Sequence, residues 1–430
     1  NKYLSMEGKV SLSRTKAEDR PYFGSYGVIA QLIGIPHNVS LDDLKNYSTE
    51  NSAHVNWAGP NPGLENPYYV QDQRHNSDER WRAFGYYNAK INFTDWLHFS
   101  AKYAFDYYRT RVQSTDLSNG IGKTIENITD DRMSRSEENF FESNAEFILA
   151  GDNRIGENFR IGYTVGANFM YQKFETLSAE TKDMVNKNQW IFNAANILNS
   201  AAEDGHERAT NSVFASAQLA WKEYLSMDLT ARNDWSSTLP IHANSFFYGG
   251  INTSVILTDM IPSLKNNIVN YLKVRAAWGQ TGNDADVYRT MPYFVPTQIS
   301  TGFGYIYTPL NGALGLTEYN RQTNNHLKPE KTSEWELGIT TNLIDNRINI
   351  DFAYYNKLTK DQIIAANVAP ETRYTTATRN VGKISNKGVE LSVNLTPVRN
   401  KDIQWELGVT FSKNWSKVKE LWNEGETPVT

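Results

Sequence analysis

Histidine could bind a transition metal, but its spacing in this sequence argues against a metal site. The seven histidines are His37, His54, His75, His98, His206, His242 and His326. No two of them lie within five residues of each other, whereas close-spaced zinc motifs place two histidines within about five positions. Cysteine is absent, which excludes disulfides, thiolate metal sites and a cysteine nucleophile. The sequence therefore predicts no metal site and no cofactor.

Carboxylates and hydroxyls do not form a catalytic pattern either. The metalloprotease motif, the nucleophile elbow, the P-loop and the Rossmann glycine pattern are all absent from the sequence. The acidic pairs at 130–131 and 137–138 fit solvated loop charge better than acid–base chemistry. Residues 283–286 (Asn-Asp-Ala-Asp) have the oxygen density of a calcium loop but lack its glycine and distal glutamate, so we expect a turn. We predict that the protein is not an enzyme.

Composition points to a particular kind of membrane protein. The net charge of −5 argues against a nucleic-acid partner, which usually needs a basic stripe, and no apolar run reaches the roughly 18 residues of a membrane-spanning helix. Yet 11 Trp, 24 Tyr and 19 Phe stand in an otherwise polar sequence. A transmembrane β-barrel has this composition because its strands alternate apolar and polar residues between aromatic girdles.

Strand patterns dominate the sequence. The clearest covers 159–171, where Phe159, Ile161, Tyr163, Val165 and Phe169 alternate mainly with small or polar residues. About thirteen such strands are predicted, within the range of outer-membrane barrels. They cover 3–14, 82–93, 97–112, 138–151, 157–174, 209–222, 225–236, 246–258, 271–281, 332–343, 347–358, 386–397 and 403–415. No proline falls in a predicted strand interior. The prediction is an all-β, transmembrane antiparallel barrel forming a single domain over 1–430.

The connections between these strands alternate in length. Tight connections at 94–96, 223–224 and 344–346 and short ones at 152–156 and 398–402 separate the long ones. The long connections cover 15–81, 113–137, 175–208, 282–331 and 359–385, and two of intermediate length cover 237–245 and 259–270. Bacterial barrels show this alternation because periplasmic turns are short and extracellular loops are long.

Two features suggest a piece of a larger barrel. An odd number of strands does not close a single-chain antiparallel barrel of the usual even kind, so we expect further strands in the intact protein. The sequence also begins at Asn1 without a signal peptide, which fits either a processed protein or a fragment.

The long loops carry the candidate helices and binding residues. Residues 40–43 resemble a capping box, and apolar residues in 180–203 have roughly helical spacing. Six loop aromatics are candidates for contact with a ligand or a covering partner, because aromatic rings bury the apolar faces of sugars and peptides. They are Trp57, Tyr68, Tyr69, Trp190, Tyr305 and Tyr307. The alternative is that these rings pack the loops against each other. His98 and His242 are interpreted as lumen or rim residues.

Four segments resemble the SusC/RagA family of TonB-dependent outer-membrane transporters. They are 271–283 (YLKVRAAWGQTGN), 327–338 (LKPEKTSEWELG), 380–394 (NVGKISNKGVELSVN) and 232–237 (RNDWSS). The resemblance implies a barrel of about 22 strands with a plugged lumen in the bacterial outer membrane, a SusD-like surface lipoprotein as a lid, and energy from the TonB complex. Neither the plug nor the TonB box is recognisable in 1–430.

The leading hypothesis is therefore energised import of an oligomeric nutrient, glycan or peptide. Two alternatives stay open. One is a passive porin, which would conduct without an energising partner. The other is a structural barrel that serves as a subunit of an outer-membrane assembly. The sequence does not distinguish a glycan from a peptide cargo.

Overall fold

The structure is a computed structural model that describes residues 3–21, 28–45, 66–116, 132–184, 189–296, 298–301, 304–307 and 316–421. Thirteen strands in these ranges form one sheet, in which every strand pairs antiparallel with its neighbours in chain order. The strands are β1 (Leu4–Glu18), β2 (Arg74–Asn92), β3 (Leu97–Asp116), β4 (Arg132–Ile155), β5 (Phe159–Met184), β6 (Ala195–Trp221), β7 (Leu225–Ser236), β8 (Ser245–Ile256), β9 (Val269–Asn283), β10 (Glu330–Leu343), β11 (Ile348–Lys360), β12 (Lys383–Arg399) and β13 (Gln404–Glu420). The predicted thirteen-strand antiparallel sheet is confirmed.

The sheet has one apolar face and one polar face. Cross-strand register places Leu149 opposite Val165, and on the same face Leu337 lies opposite Tyr354. The other face carries residues such as Lys102 opposite Glu146. Because side chains alternate between the two faces along each strand, in-register pairing continues this separation from β1 to β13. We call these the apolar face and the polar face.

The apolar face is not covered by a second layer among the described residues. Phe159 and Phe169 on this face are 55% and 47% exposed. Tyr163 is half-buried because its ring lies across Gly151 of β4, where a Cβ would come within 2.5 Å of the ring. The rings that the alternation directs outward therefore lack a protein cover, as expected for side chains that face lipid.

The connections join strand ends at two sides of the sheet. Those at 93–96, 156–158, 222–224, 257–268, 344–347 and 400–403 join strand ends at one side, the turn end. Those at 19–73, 117–131, 185–194, 237–244, 284–329 and 361–382 join strand ends at the other side, the loop end. The predicted alternation of short and long connections is present except at 257–268, a turn-end connection that is longer than the loop-end connections 185–194 and 237–244.

Most strands are longer than predicted, and β4, β5 and β6 exceed their predicted lengths the most. The predictions of 138–151, 157–174 and 209–222 fall short of β4, β5 and β6, which contain 24, 26 and 27 residues. Crossing a membrane takes only about 9–11 residues of a tilted strand, so these strands extend beyond it at the loop end. The prediction missed the extensions because a strand with water on both faces has no apolar alternation.

The helical prediction for 180–203 is wrong. In the described part of this segment, β5 continues to Met184, a 3₁₀ turn covers Phe192–Ala194, and β6 begins at Ala195. Pairing of Ala179 with Ala201 and of Glu180 with Ser200 gives these residues cross-strand hydrogen-bond partners, which outweigh the weak helical spacing.

The position of Pro397 within its strand also differs from the prediction. It lies inside β12, two residues before Arg399, rather than at a strand end. The register between β12 and β13 shifts between Leu395 and Val398, and a bulge of this kind tolerates a residue without a ladder N–H.

The loop end contains short helices and small sheets. The helices are α1 (Val28–Gly34), α2 (Leu41–Leu44) and α3 (Pro67–Gln73), while α4 (Leu257–Met260) and the 3₁₀ turn Pro262–Leu264 belong to the turn end. At α2, the Ser40 hydroxyl accepts a hydrogen bond from Asp42 N, so the predicted cap is present. The short strands lie in the connections 284–329 and 361–382. They are Phe294–Pro296, Gln298–Thr301, Gly304–Tyr307, Leu316–Glu318, Arg321–Gln322, Ile363–Asn367 and Thr376–Asn380. None of the described helices has the length and apolarity needed to cross a bilayer.

Candidate functional site

Tyr68 and Tyr69 lie together on α3 at the loop end. Asn66 caps this helix: its side-chain oxygen accepts hydrogen bonds from the backbone N–H groups of Tyr68 and Tyr69, and its amide donates to Leu44 O at 2.8 Å. Tyr69 is 2% exposed and Tyr68 is half-buried. Tyr69 therefore packs inside its own loop, and Tyr68 is the more accessible ring of the two.

The other predicted binding residues are placed less fully. Trp190 is half-buried and lies just before the 3₁₀ turn that leads into β6. Tyr305 and Tyr307 belong to a short strand paired with Gln298–Thr301, and their side chains lie outside what the structure describes. Trp57 lies outside the described residues. A ligand or lid contact at these six positions stays a prediction.

A row of aromatic rings crosses the polar face of β3–β6. Register aligns one residue from each of these four strands, so that each lies directly opposite the next. The four are Tyr108, Phe140, Phe174 and His206. The rings of Tyr108 and Phe140 stack with centroids 4.9 Å apart, and those of Phe174 and His206 with centroids 5.2 Å apart. We call this set the aromatic row. It forms an apolar strip on a face that is otherwise mainly polar.

Arginines fix the β2 side of the aromatic row. The Arg80 guanidinium lies 4.7 Å from the centroid of the Tyr108 ring, and its Nε donates to Thr110 Oγ1 at 2.8 Å. Arg82, directly opposite Tyr108, donates from Nε to Asp106 at 2.8 Å. A cation over an aromatic face stabilises the contact by about 0.5–2 kcal/mol, so Arg80 holds the first ring of the row, while the Arg82 guanidinium lies 4.7 Å from the centroid of the Phe84 ring.

Sequence reasoning missed the aromatic row, although part of its signal was visible. Within the predicted strands, Tyr108, Phe140 and Phe174 occupy positions that the alternation assigns to the polar face. An aromatic residue at such a position departs from the pattern and could have been singled out. His206 fell outside the predicted strand 209–222, and alignment of the four rings requires the register.

A polar network ties the loop end of β6–β9 together, and it contains the segment 232–237. Alternate residues of that segment point to the polar face. Arg232 Nε donates to Asp234 Oδ1 at 2.8 Å, and the Tyr248 hydroxyl donates to Asp234 Oδ2 at 2.6 Å. Ser236 donates to Asp284, which also accepts two hydrogen bonds from Arg208 at 2.8 and 2.9 Å. The network therefore anchors the start of the 284–329 connection.

A buried apolar cluster lies beside this network. Its buried members are Leu239, Phe246, Ala285 and Leu327. They come from two loop-end connections, 237–244 and 284–329, and from the start of β8, so the cluster joins these connections to each other. Nearby, the rings of His242 and His326 lie with centroids 5.8 Å apart. His242, interpreted from the sequence as a lumen or rim residue, lies in the loop-end connection 237–244.

Two long connections pack on each other above β9–β12. Arg321–Gln322 pairs in parallel with 376–377, and the Tyr374 hydroxyl donates to Glu318 Oε1 at 2.8 Å. That hydrogen bond to a carboxylate raises the pKa of Tyr374 above its usual range. The stacked pair Tyr293 and Tyr319 (centroids 4.9 Å apart) lies in the same region, and burial, followed by the neighbouring Tyr319, raises the pKa of Tyr293.

The described residues provide binding surfaces rather than reactive groups. Within them, no three His, Asp or Glu side chains come together as metal ligands would. What they do provide is an apolar strip flanked by charged and hydroxyl groups on one wall, and a rim of loops held by ion pairs and a small core. Such an arrangement can hold and orient a solute at the loop end.

Comparison with known proteins identifies the fold. The structure superposes on the RagAB peptide importer in its closed-closed state with a TM-score of 0.81 and 18% identity, covering 99% of this chain and 46% of that chain. The predicted barrel architecture is thereby confirmed. Among curated proteins, TonB-dependent receptor P26 from Formosa agariphila is 28% identical over 284 residues, which is 65% of this chain and 28% of that protein.

A second curated relative supports the resemblance found in the sequence. TonB-dependent receptor SusC from Bacteroides thetaiotaomicron is 28% identical over 158 residues, covering 36% of this chain and 15% of that protein. The chain thus spans well under half the length of these relatives. Residues 31–428 match the family described as TonB dependent receptor-like, beta-barrel. The chain therefore belongs to this family, and its strands lie in the outer membrane.

Proposed function

We propose that residues 1–430 form part of the barrel wall of an energised importer that takes up oligomeric nutrients, glycans or peptides, across the outer membrane. A SusD-like surface lipoprotein acts as its lid, and the TonB complex supplies the energy through parts of the protein outside this chain. The protein carries out no covalent chemistry on its cargo and needs no cofactor.

One observation carries the proposal: a chain of the TonB-dependent family folds into a thirteen-stranded wall whose apolar face suits lipid and whose opposite face is mainly polar. A wall of this kind separates lipid from an aqueous lumen. Import as the purpose of the lumen is supported by the similarity to the RagAB peptide importer. Names of the curated relatives, TonB-dependent receptor, support dependence on TonB.

The complete gene and its neighbourhood test the proposal first. We expect a plug domain and a TonB box in the same reading frame, and a gene for a surface lipoprotein beside it. A complete gene that encodes neither a plug domain nor a TonB box would overturn the proposal of energised import.

Purified intact protein then separates the three hypotheses. In planar bilayers we expect a closed channel, because a plug occupies the lumen of such transporters. Steady open conductance without an energising partner would instead establish a passive porin. Co-purification of the lid lipoprotein supports import, whereas stable association only with other outer-membrane machinery would establish a structural subunit.

A further inference from the structure

One connection at the turn end is both long and apolar. Residues 257–268 join β8 to β9 and number twelve, whereas the other described turn-end connections have three or four residues. Four aliphatic side chains in this connection are exposed, namely Met260, Ile261, Leu264 and Ile268. Ile344 in the neighbouring turn is exposed as well, and its N–H donates to Ile268 O at 2.8 Å. We call these five side chains the turn-end patch.

Hydrogen bonds hold the backbone that carries the turn-end patch. The Thr258 hydroxyl accepts a hydrogen bond from Leu272 N at 3.3 Å, which ties α4 to β9. The Asn266 side chain accepts hydrogen bonds from Ile268 N and Val269 N at 2.8 and 2.9 Å, which fixes the entry into β9. The connection therefore presents its apolar side chains in defined positions.

The helix α4 directs one side of this connection toward the apolar face. Asp259 interacts electrostatically with Tyr271, which register places on the polar face together with Arg275. Ile261 completes the turn of α4, since its N–H donates to Leu257 O at 2.8 Å. Successive residues of a helix are about 100° apart, so Ile261 and Leu257 lie on the opposite side of α4 from Asp259. That side continues the apolar face.

The turn-end patch fills an interval in the aromatic residues of the turn end. Exposed or stacked aromatic rings lie near the turn ends of β2–β3, β5–β7 and β13. They include Phe93, Trp96, Phe159, Trp221, Tyr224 and Trp405. Aromatic rings of this kind form the girdle where a barrel meets the membrane–water interface. Residues 249–270 and 341–351 contain no aromatic residue, so the girdle is interrupted at β8–β11, where the patch lies.

We propose that the turn-end patch is a membrane anchor that inserts into the periplasmic leaflet of the outer membrane beside β8–β10. The short connections of a bacterial barrel face the periplasm, so the lipid at this end is the phospholipid of that leaflet. The patch is continuous with the lipid-facing surface, because Ile344 follows Leu343 and Ile268 precedes Val269, and Leu343 pairs with Val269. Apolar side chains beside an exposed lysine, Lys265, are typical of a segment that lies in the interface plane.

Lipid fits this patch better than a protein partner does. A specific protein contact usually includes about one hydrogen bond per 100–200 Å² of interface, but Thr258 and Asn266 already bond to the backbone of their own connection. Lipid chains require no such partners.

The backbone at Ile344 gives a further reason for an apolar contact. Its φ is 51°, in the left-handed region that a β-branched residue adopts only at a cost. An exposed isoleucine in that conformation has no role in the turn itself, whereas lipid gives its side chain an apolar neighbour.

Site-specific fluorescence of the intact protein in lipid vesicles tests the anchor. The chain has no cysteine, and any cysteine elsewhere in the intact protein would be replaced first, so Ile261→Cys carries a single NBD fluorophore. In vesicles of phosphatidylethanolamine and phosphatidylglycerol its emission should shift to shorter wavelength, and doxyl-labelled lipid should quench it. Asp402→Cys, at an exposed position of the 400–403 turn, is the matched control and should keep a water-like, unquenched emission.

Three substitutions then test whether the contact stabilises the barrel. Ile261→Asp should lower the folding equilibrium constant in vesicles about twofold to fivefold, as for a carboxylate placed near the interface. Ile261→Trp should retain stability, because tryptophan favours the interface. Asn267→Asp adds the same charge to the same connection without removing an apolar side chain, and it should leave stability unchanged. Heat-modifiable migration on gels would check that each variant still forms a barrel.

The alternatives give different results. A short-wavelength emission at Ile261→Cys that doxyl-labelled lipid does not quench would show a protein cover and overturn the anchor. Water-like emission from both labelled variants would overturn it too, as would equal stability of Ile261→Asp and Asn267→Asp. None of these results bears on import, because the anchor does not rest on the proposed cargo or energy source.

Discussion

Arg275 of β9 and Asp351 of β11 form a two-bond ion pair, 2.9 and 3.0 Å, that reaches across the intervening strand β10. The guanidinium passes over Gly338, where a Cβ would come within 2.4 Å of it. Glu336 and Thr340 of β10 accept further hydrogen bonds from Arg275 at 3.2 and 3.1 Å. Three strands of the lumenal wall are thus joined by one arginine, because β10 has no side chain at the crossing point.

Replacing Gly338 should break this ion pair. In Gly338→Ala the new methyl group displaces the Arg275 guanidinium, and the lost interaction should cost about 1 kcal/mol of unfolding free energy, as for well-formed but partly exposed pairs. Unfolding by urea in lipid vesicles would measure the change. Asp351→Asn should cost a similar amount in the wild-type background and almost nothing in Gly338→Ala, since the pair is already broken. Additive losses in the double variant would show that the two residues act independently.

Charge on the two faces of β5 should have opposite consequences. Val165 lies on the apolar face and is 56% exposed, so arginine there must enter lipid. Val165→Arg should destabilise the barrel by about 2–4 kcal/mol if the site lies near the bilayer midplane. Thr164→Arg, its neighbour on the polar face, should change stability by less than about 1 kcal/mol. The temperature at which the barrel loses its compact gel migration would compare the two, and an equal loss would contradict the assignment of the faces.

The start of the 284–329 connection should depend on one carboxylate. The Asp284 side chain is 5% exposed, while the Asp286 side chain is 77% exposed. Asp284→Asn weakens charge-assisted hydrogen bonds to Arg208, at a cost of about 1.5–3 kcal/mol. Hydrogen exchange of the backbone at 284–296 should accelerate in this variant. Asp286→Asn is the matched control, because its exposed pair with Arg289 should contribute little; equal exchange in both variants would refute the anchoring role.

The sheet was predictable because one of its faces meets lipid. Phe159, Val165 and Phe169 repeat every second residue, and this pattern fixed the existence and order of all thirteen strands. It could not fix the loop-end extensions of β5 and β6, where both faces meet water and the sequence lacks alternation. Local pairing there overrode the helical spacing in 180–203.

The candidate site was less predictable than the fold. Loop aromatics such as Tyr69 can be recognised in sequence, but their placement depends on distant residues: Asn66, which caps the helix of Tyr69, donates to Leu44 O. The aromatic row requires Tyr108 and Phe140 to face each other, which follows only from the register of β3 with β4. The resemblance to known transporters rested partly on 232–237 and 271–283, and the structure joins Ser236 of the first segment to Asp284, the residue that directly follows the second.

The bridge between the two long connections should open at high pH. Because the hydrogen bond to Glu318 raises the pKa of Tyr374, the folded protein favours the protonated phenol. Its stabilising contribution is complete below the pKa of an unfolded tyrosine, about 10, and is lost as pH rises through the higher folded value. Limited proteolysis of the intact protein should therefore cut 361–382 faster at pH 11 than at pH 8. Tyr374→Phe, which has no hydroxyl, should be cut quickly at both values, and a wild-type protein with no such pH dependence would contradict the bridge.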